Sequence, residues 1–174
     1  MGLESFFEER LDLSKFIENA EEYSFLNVYQ TDLVKVLIVA AASSFETIVV
    51  DHIEEFYRSS SSYPSAAVFV KNKALFRSYH QLFDWSTSNA NTFTKFFGQD
   101  CTDLLKSQLN DHPWLEQSIR DFIALGRARN ELVHGDFAVA SPSLSVAEVG
   151  DKYRSAIKFV DAIPSIIRVE RLVS

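Results

Sequence analysis

The chain predicts an all-α fold, an up-and-down helical bundle with two long helices at its centre. Three observations predict it. Apolar residues recur at helical spacing in every long segment. Five glycines and four prolines are too few for a loop-rich or all-β design. A hydrophobic share of 47% over 174 residues is enough for one sizeable core, and fifteen phenylalanines and six tyrosines make that core aromatic. The expected unit is one domain over 1–174, with 1–30 as an acidic helix and linker packed on the rest.

Each element follows from local signals. Residues 3–22 place Phe6, Phe7, Leu11, Leu13, Phe16 and Ile17 on one broad apolar face. Asp32 stands where it can cap a helix of about 32–58, whose first half, "LVKVLIVAAASSFETIVV", is apolar nearly all round. Lys35 and Glu46 lie inside that run, whereas a membrane span needs about 18 or more uncharged residues, so it reads as a central bundle helix. "RSSSSYPS", 58–65, is a polar break. A helix resumes near Ser65 and runs to about Trp85, and short helices over 89–97 and 100–109 flank Gly98. Pro113 in "NDHPW" suits the first position of a helix that runs to His134, with Gly135 as its stop. "DFAVASPSLS" is a loop. Ser145 caps a last helix to about 169, which Pro164 kinks or breaks.

Charge and cysteine content narrow the setting. One cysteine, Cys101, forms no internal disulfide, so nothing demands an oxidising compartment. "MGLESFFEER" lacks the basic start and cleavage site of a secretory signal, and Phe6 stands where a myristoylation pattern wants Ser or Thr. The expectation is a cytoplasmic protein with no membrane partner. The net charge of −7 opposes a broad polyanion-binding field. The acid is uneven, however. Residues 1–22 hold seven carboxylates, while Lys71, Lys73 and Arg77 form one basic cluster and Lys152, Arg154 and Lys158 another. Any polyanion would have to be met locally, and the first cluster is a candidate contact.

"GRARNELVHGDF", 126–137, sets two arginines, an asparagine and a histidine at the end of an otherwise apolar helix. At about 100° per residue, His134 lies about 20° from Arg127 and about 40° from Asn130, so the three share a stripe. Arg129 lies about 140° from His134 and meets it only by reaching round or across a subunit boundary. His134 occupies the last turn, where helix carbonyls favour a cation.

"RNELVH" resembles the signature of the HEPN superfamily, an arginine and a histidine separated by four to six residues, in its Arg-Asn form followed by glycine. Arg127 satisfies the longer spacing. "SSFETIV", 43–49, resembles the serine-aromatic-glutamate run on an earlier helix of HEPN domains of the RiboL-PSP type. The resemblance covers roughly 30–170. It implies a helical domain that cleaves or binds RNA, often within toxin–antitoxin or antiviral systems. Active members are metal-independent ribonucleases that leave a 2′,3′-cyclic phosphate. Carried onto this chain, His134 is base or acid, Arg129 stabilises the charge growing on phosphate, and Asn130 orients either. The 2′-OH requirement restricts cleavage to RNA.

The other residues agree with a metal-free, cofactor-free scheme. His52, His80, His112 and His134 fall on separate elements without ligand spacing, and there is neither a glycine-rich phosphate loop nor a Gly-x-Ser-x-Gly elbow. Glu46 on an apolar helix is costly to bury without a cation, and Arg127 or Arg129 is the expected partner. His80, among aromatics in "RSYHQLFDW", reads as a core or surface histidine, His112 as a turn residue, and Cys101 as packing. Two functions stay open: the ribonuclease, which the intact motif favours, and a non-catalytic module binding RNA, a nucleotide or a protein, which the acidic balance favours. Because each chain offers one motif histidine, a homodimer through the motif helix is expected, with an antitoxin or other defence-system protein as a further partner.

Overall fold

The computed structural model describes residues 3–170, apart from the side chains of Pro64, Ala74, Phe76 and Arg77. Its helices are α1 (Leu3–Asn19), α2 (Tyr23–Ser60), α3 (Pro64–Val70), α4 (Phe76–Leu82), α5 (Asn91–Lys95), α6 (Gln99–Asp111), α7 (Pro113–His134) and α8 (Val146–Ile167), with a π-helical turn, Lys71–Leu75, joining α3 to α4. There is no strand among the described residues, and the bundle is all-α.

The centre is built by α2, α7 and α8. Leu37, Ile38, Ala41, Phe45, Val49 and Ile53 of α2 recur every three or four residues and are buried. They meet Leu115, Ile119, Phe122 and Leu125 of α7 and Val149, Ala156, Phe159 and Ile163 of α8. Phe122 is the hub, with its ring 5.4 Å from Phe45, 4.7 Å from Phe83 and 5.3 Å from Phe159. Full burial of such a side chain contributes about 1.5–3 kcal/mol. Asp121 and Lys152 add a polar tie between α7 and α8 at 2.7 Å. Burial pushes the Asp121 carboxyl up, but hydrogen bonds from Lys152, Gln117 and Ser155 outweigh it and hold the carboxyl below its ordinary value.

The largest departure from the sequence reading lies at the N-terminal end of α2. It begins at Tyr23, so Asp32 is an interior residue, 3.3 Å from Lys35, and caps nothing. Residues 23–30 are helix and not linker. Glu21 takes a left-handed φ of 59°, which turns the chain between α1 and α2 within three residues. A helix nucleated on the buried stretch from Leu33 onward then elongates backward at little cost. Tyr29 secures it to α1 through a hydrogen bond to the Arg10 carbonyl at 3.3 Å. By length and composition α2 could cross a membrane, yet 56% of its most apolar stretch is buried inside the bundle, as a core helix is.

Two further expectations change. α4 stops at Leu82, so Trp85 lies in a loop. Pro164 does not break α8, which runs to Ile167. The proline forfeits one bond, the N–H that would donate to the Val160 carbonyl, and Ile163, Ile166 and Ile167 stay buried around it.

Candidate functional site

α7 carries the site. Pro113 opens the helix, and the buried spacing of Leu115, Ile119, Phe122, Ile123 and Leu125 fixes which face turns outward. The helix ends at His134, and the Gly135 amide donates to the Glu131 carbonyl at 2.9 Å. Gly135 has an ordinary φ of −93°, so its conformation does not demand glycine; space does, since a Cβ would stand 2.8 Å from that carbonyl. α8 starts on a capping box, as Ser145 predicts, with the Glu148 amide donating to Ser145 Oγ and the Ser145 amide to Glu148. The loop between is tied down by Lys35. Its buried ammonium donates to the Ala138 carbonyl at 3.4 Å and lies 5.6 Å from the Phe137 ring.

The two motif arginines do different things. Arg127 donates from Nε to the Trp85 carbonyl and from Nη2 to the Thr87 carbonyl, both at 2.8 Å. It clamps the loop between α4 and α5 onto α7. Trp85 lies flat against Gly126, where a Cβ would come within 2.0 Å of the indole. The indole N–H donates to the His80 carbonyl at 2.8 Å and so closes the end of α4. Arg129 instead points its Nη1 at His80 Nε2, 3.3 Å away, and at Asn130 Oδ1, 3.2 Å away. No carboxylate pairs with it among the described residues.

Arg129, Asn130, His80 and Glu46 rim a pocket floored by aromatic side chains, Phe45, Tyr79, Trp85 and Phe122 among them. Its volume of about 10 Å³ holds one water, so a nucleobase or phosphate must act at the rim. The ion pair expected of Glu46 does not form with either arginine. Arg127 is spent on backbone carbonyls, and Arg129 is turned toward His80. Glu46 still faces the same spot as Arg129, as Tyr79 records. Burial first, then the Glu46 carboxylate, push the Tyr79 phenol up, while Arg129 pulls it down.

The remaining candidates lie elsewhere. His134 is exposed, one turn beyond Asn130, and does not line the pocket. Lys71 is held by Asp51 at 3.0 Å and by Glu54, so a phosphate would have to displace two carboxylates. Lys73 is exposed, and the Arg77 side chain lies outside the described residues. Cys101 is buried, which pushes its thiol up to about 11 and makes it packing, not a nucleophile. No group of three His, Cys, Asp or Glu side chains is placed to hold a metal ion among the described residues. The sequence takes His80 as a core or surface histidine, and the structure has it exposed in the lining of the pocket. The one available signal of that placement was Gly126, a glycine inside an apolar helix, which marks a close approach by another element.

Residues 4–168 match the family model RiboL-PSP-HEPN. No curated protein and no solved structure matches the chain. The match spans nearly all of α1 to α8, and with the Arg-Asn-x-x-x-His motif on α7 it establishes that the chain belongs to the RiboL-PSP-HEPN family.

Proposed function

We propose that the protein is a metal-independent endoribonuclease. The observation that carries this reading is Arg129, an arginine without a carboxylate partner among the described residues, half-buried at a pocket between α7, α4 and α2, beside Asn130 and one turn before an exposed His134. A planar guanidinium that no carboxylate holds can grip two phosphate oxygens there. The ribose 2′-OH loses its proton and O2′ bonds to phosphorus. The bond from phosphorus to the 5′ oxygen breaks, and that oxygen gains a proton. The products are a 2′,3′-cyclic phosphate and a 5′-hydroxyl end. His134 serves one of the two proton transfers and Asn130 orients the phosphate.

A homodimer through α7 belongs to this proposal. Val133, Phe137 and Val139, which follow the motif arginines, are 51%, 46% and 76% exposed, an apolar border suited to meeting its own copy across a twofold axis. Paired motifs would form a local basic groove in an acidic protein. The setting we infer is a cytoplasmic toxin–antitoxin or antiviral system. Labelled RNA incubated with wild type and His134→Ala, with and without EDTA, tests the chemistry. Cleavage by wild type alone, unaffected by EDTA and leaving cyclic phosphate ends, is expected. Loss with EDTA and return with a divalent ion would contradict it. Binding of RNA without cleavage would favour the non-catalytic module.

A further inference from the structure

We infer that His80 of α4 is a second histidine of the site and accepts the 2′-OH proton. This rests on the ribonuclease reading above. Arg129 Nη1 stands 3.3 Å from His80 Nε2, so this ring nitrogen is turned toward the group that would grip the phosphate. In RNA the 2′ oxygen and the nearest phosphate oxygen lie about one hydrogen-bond length apart. A phosphate gripped by Arg129 therefore brings the 2′-OH within reach of Nε2, where a general base must stand.

The position is built, not incidental. The His80 carbonyl is held by the Trp85 indole at 2.8 Å, Trp85 is seated on Gly126, and Arg127 holds the Trp85 and Thr87 carbonyls at 2.8 Å each. Through this chain of contacts α7 fixes the backbone of the residue that faces its own Arg129. Preorganisation of that kind is what a catalytic group needs. The titratable and charged groups facing the imidazole are Arg129 of α7, Glu46 of α2 and Tyr79 of α4. His80 takes the proton from O2′ as the bond to phosphorus forms. The proton that the departing 5′ oxygen needs comes from His134, which lies outside this pocket and would reach it from the second copy across the twofold axis. The base and the acid then come from different chains.

The test is steady-state cleavage of a labelled RNA by wild type, His80→Gln and His80→Ala, between about pH 5 and 9. Glutamine keeps an acceptor for Arg129 but cannot take up a proton. His80→Gln and His80→Ala should both lower kcat by about 10²–10⁴-fold, with KM and melting temperature nearly unchanged and the acidic limb of the pH profile gone. Near-full activity in His80→Gln overturns the inference, whether His80→Ala is active or not, because alignment of Arg129 would then suffice. An unaltered acidic limb overturns it as well. If the wild type leaves RNA intact, the ribonuclease reading falls and this inference with it, a result distinct from either of those.

Discussion

Arg127 and Arg129 stand two residues apart on one helix and live in opposite surroundings. Arg127 is saturated by two backbone carbonyls and holds a loop in place. Arg129 faces a histidine and an amide, has no carboxylate partner among the described residues, and stands at the rim of a pocket. A rotation of about 200° along α7 separates the two directions. The lesson is that motif spacing does not assign function. Both arginines satisfy a four-to-six-residue spacing to His134, and only their neighbours tell the clamp from the free cation.

That contrast breaks most sharply at the free arginine. Arg129→Lys should lower cleavage by roughly 10²–10³-fold, as loss of a positioned transition-state donor does, because an ammonium presents no planar fork. Thermal unfolding should change little, and a parallel loss of stability would show that Arg129 is structural after all. On the clamp side, Gly126→Ala should be the most destabilising change, by about 3 kcal/mol, since the new methyl meets the indole at 2.0 Å and the Trp85 loop must move. Chemical denaturation would reveal it, and an unshifted midpoint would show that the loop is not clamped. Arg127→Ala should cost less, about 1 kcal/mol, because the freed carbonyls can take water. Its cleavage rate per folded molecule should fall only as far as the loop loosens.

The smallest effect separates stability from catalysis. His52 lies on α2 and does not line the pocket, and its Nε2 has no hydrogen-bond partner among the described residues. Burial holds its imidazole below the ordinary value of 6.5, against the pull of Asp161 and Asp51. The unfolded chain therefore takes up that proton first as pH falls. Stability from this group is whole above about 6.5 and declines below it until the folded group also titrates. His52→Leu should flatten the melting temperature between about pH 7 and 5, leaving the pH dependence of cleavage unaltered. A melting profile as steep as that of wild type would refute the assignment.

Much of this was legible in the sequence. The α7 boundaries, Pro113 to His134, and the Ser145 capping box are short-range signals and were readable as such. The start of α2 was not, because Tyr23 to Asp32 is helical through elongation from a buried stretch and through Tyr29 reaching Arg10, contacts no local pattern encodes. Of the candidate residues, Arg129 and Asn130 were named from the motif and line the pocket, while His134, named with them, lies outside it. The contact of His80 with Arg129 could not be read, since 49 residues separate them and its placement depends on Trp85 seating on Gly126, where there is no Cβ. The Glu46 ion pair was a sound inference from burial cost. It does not form because Glu46 is only partly buried and keeps access to water.

On this reading Arg127 holds the Trp85 loop and Arg129 meets the phosphate. Arg127→Ala and Arg129→Ala, assayed side by side on one labelled RNA at a temperature where circular dichroism shows both folded, test it most directly. Arg129→Ala should be inactive with a melting temperature close to wild type. Arg127→Ala should still cleave, to the same cyclic phosphate ends, with a lowered melting temperature. An Arg127→Ala protein that is stable and inactive, beside an Arg129→Ala protein that still cleaves, would contradict it.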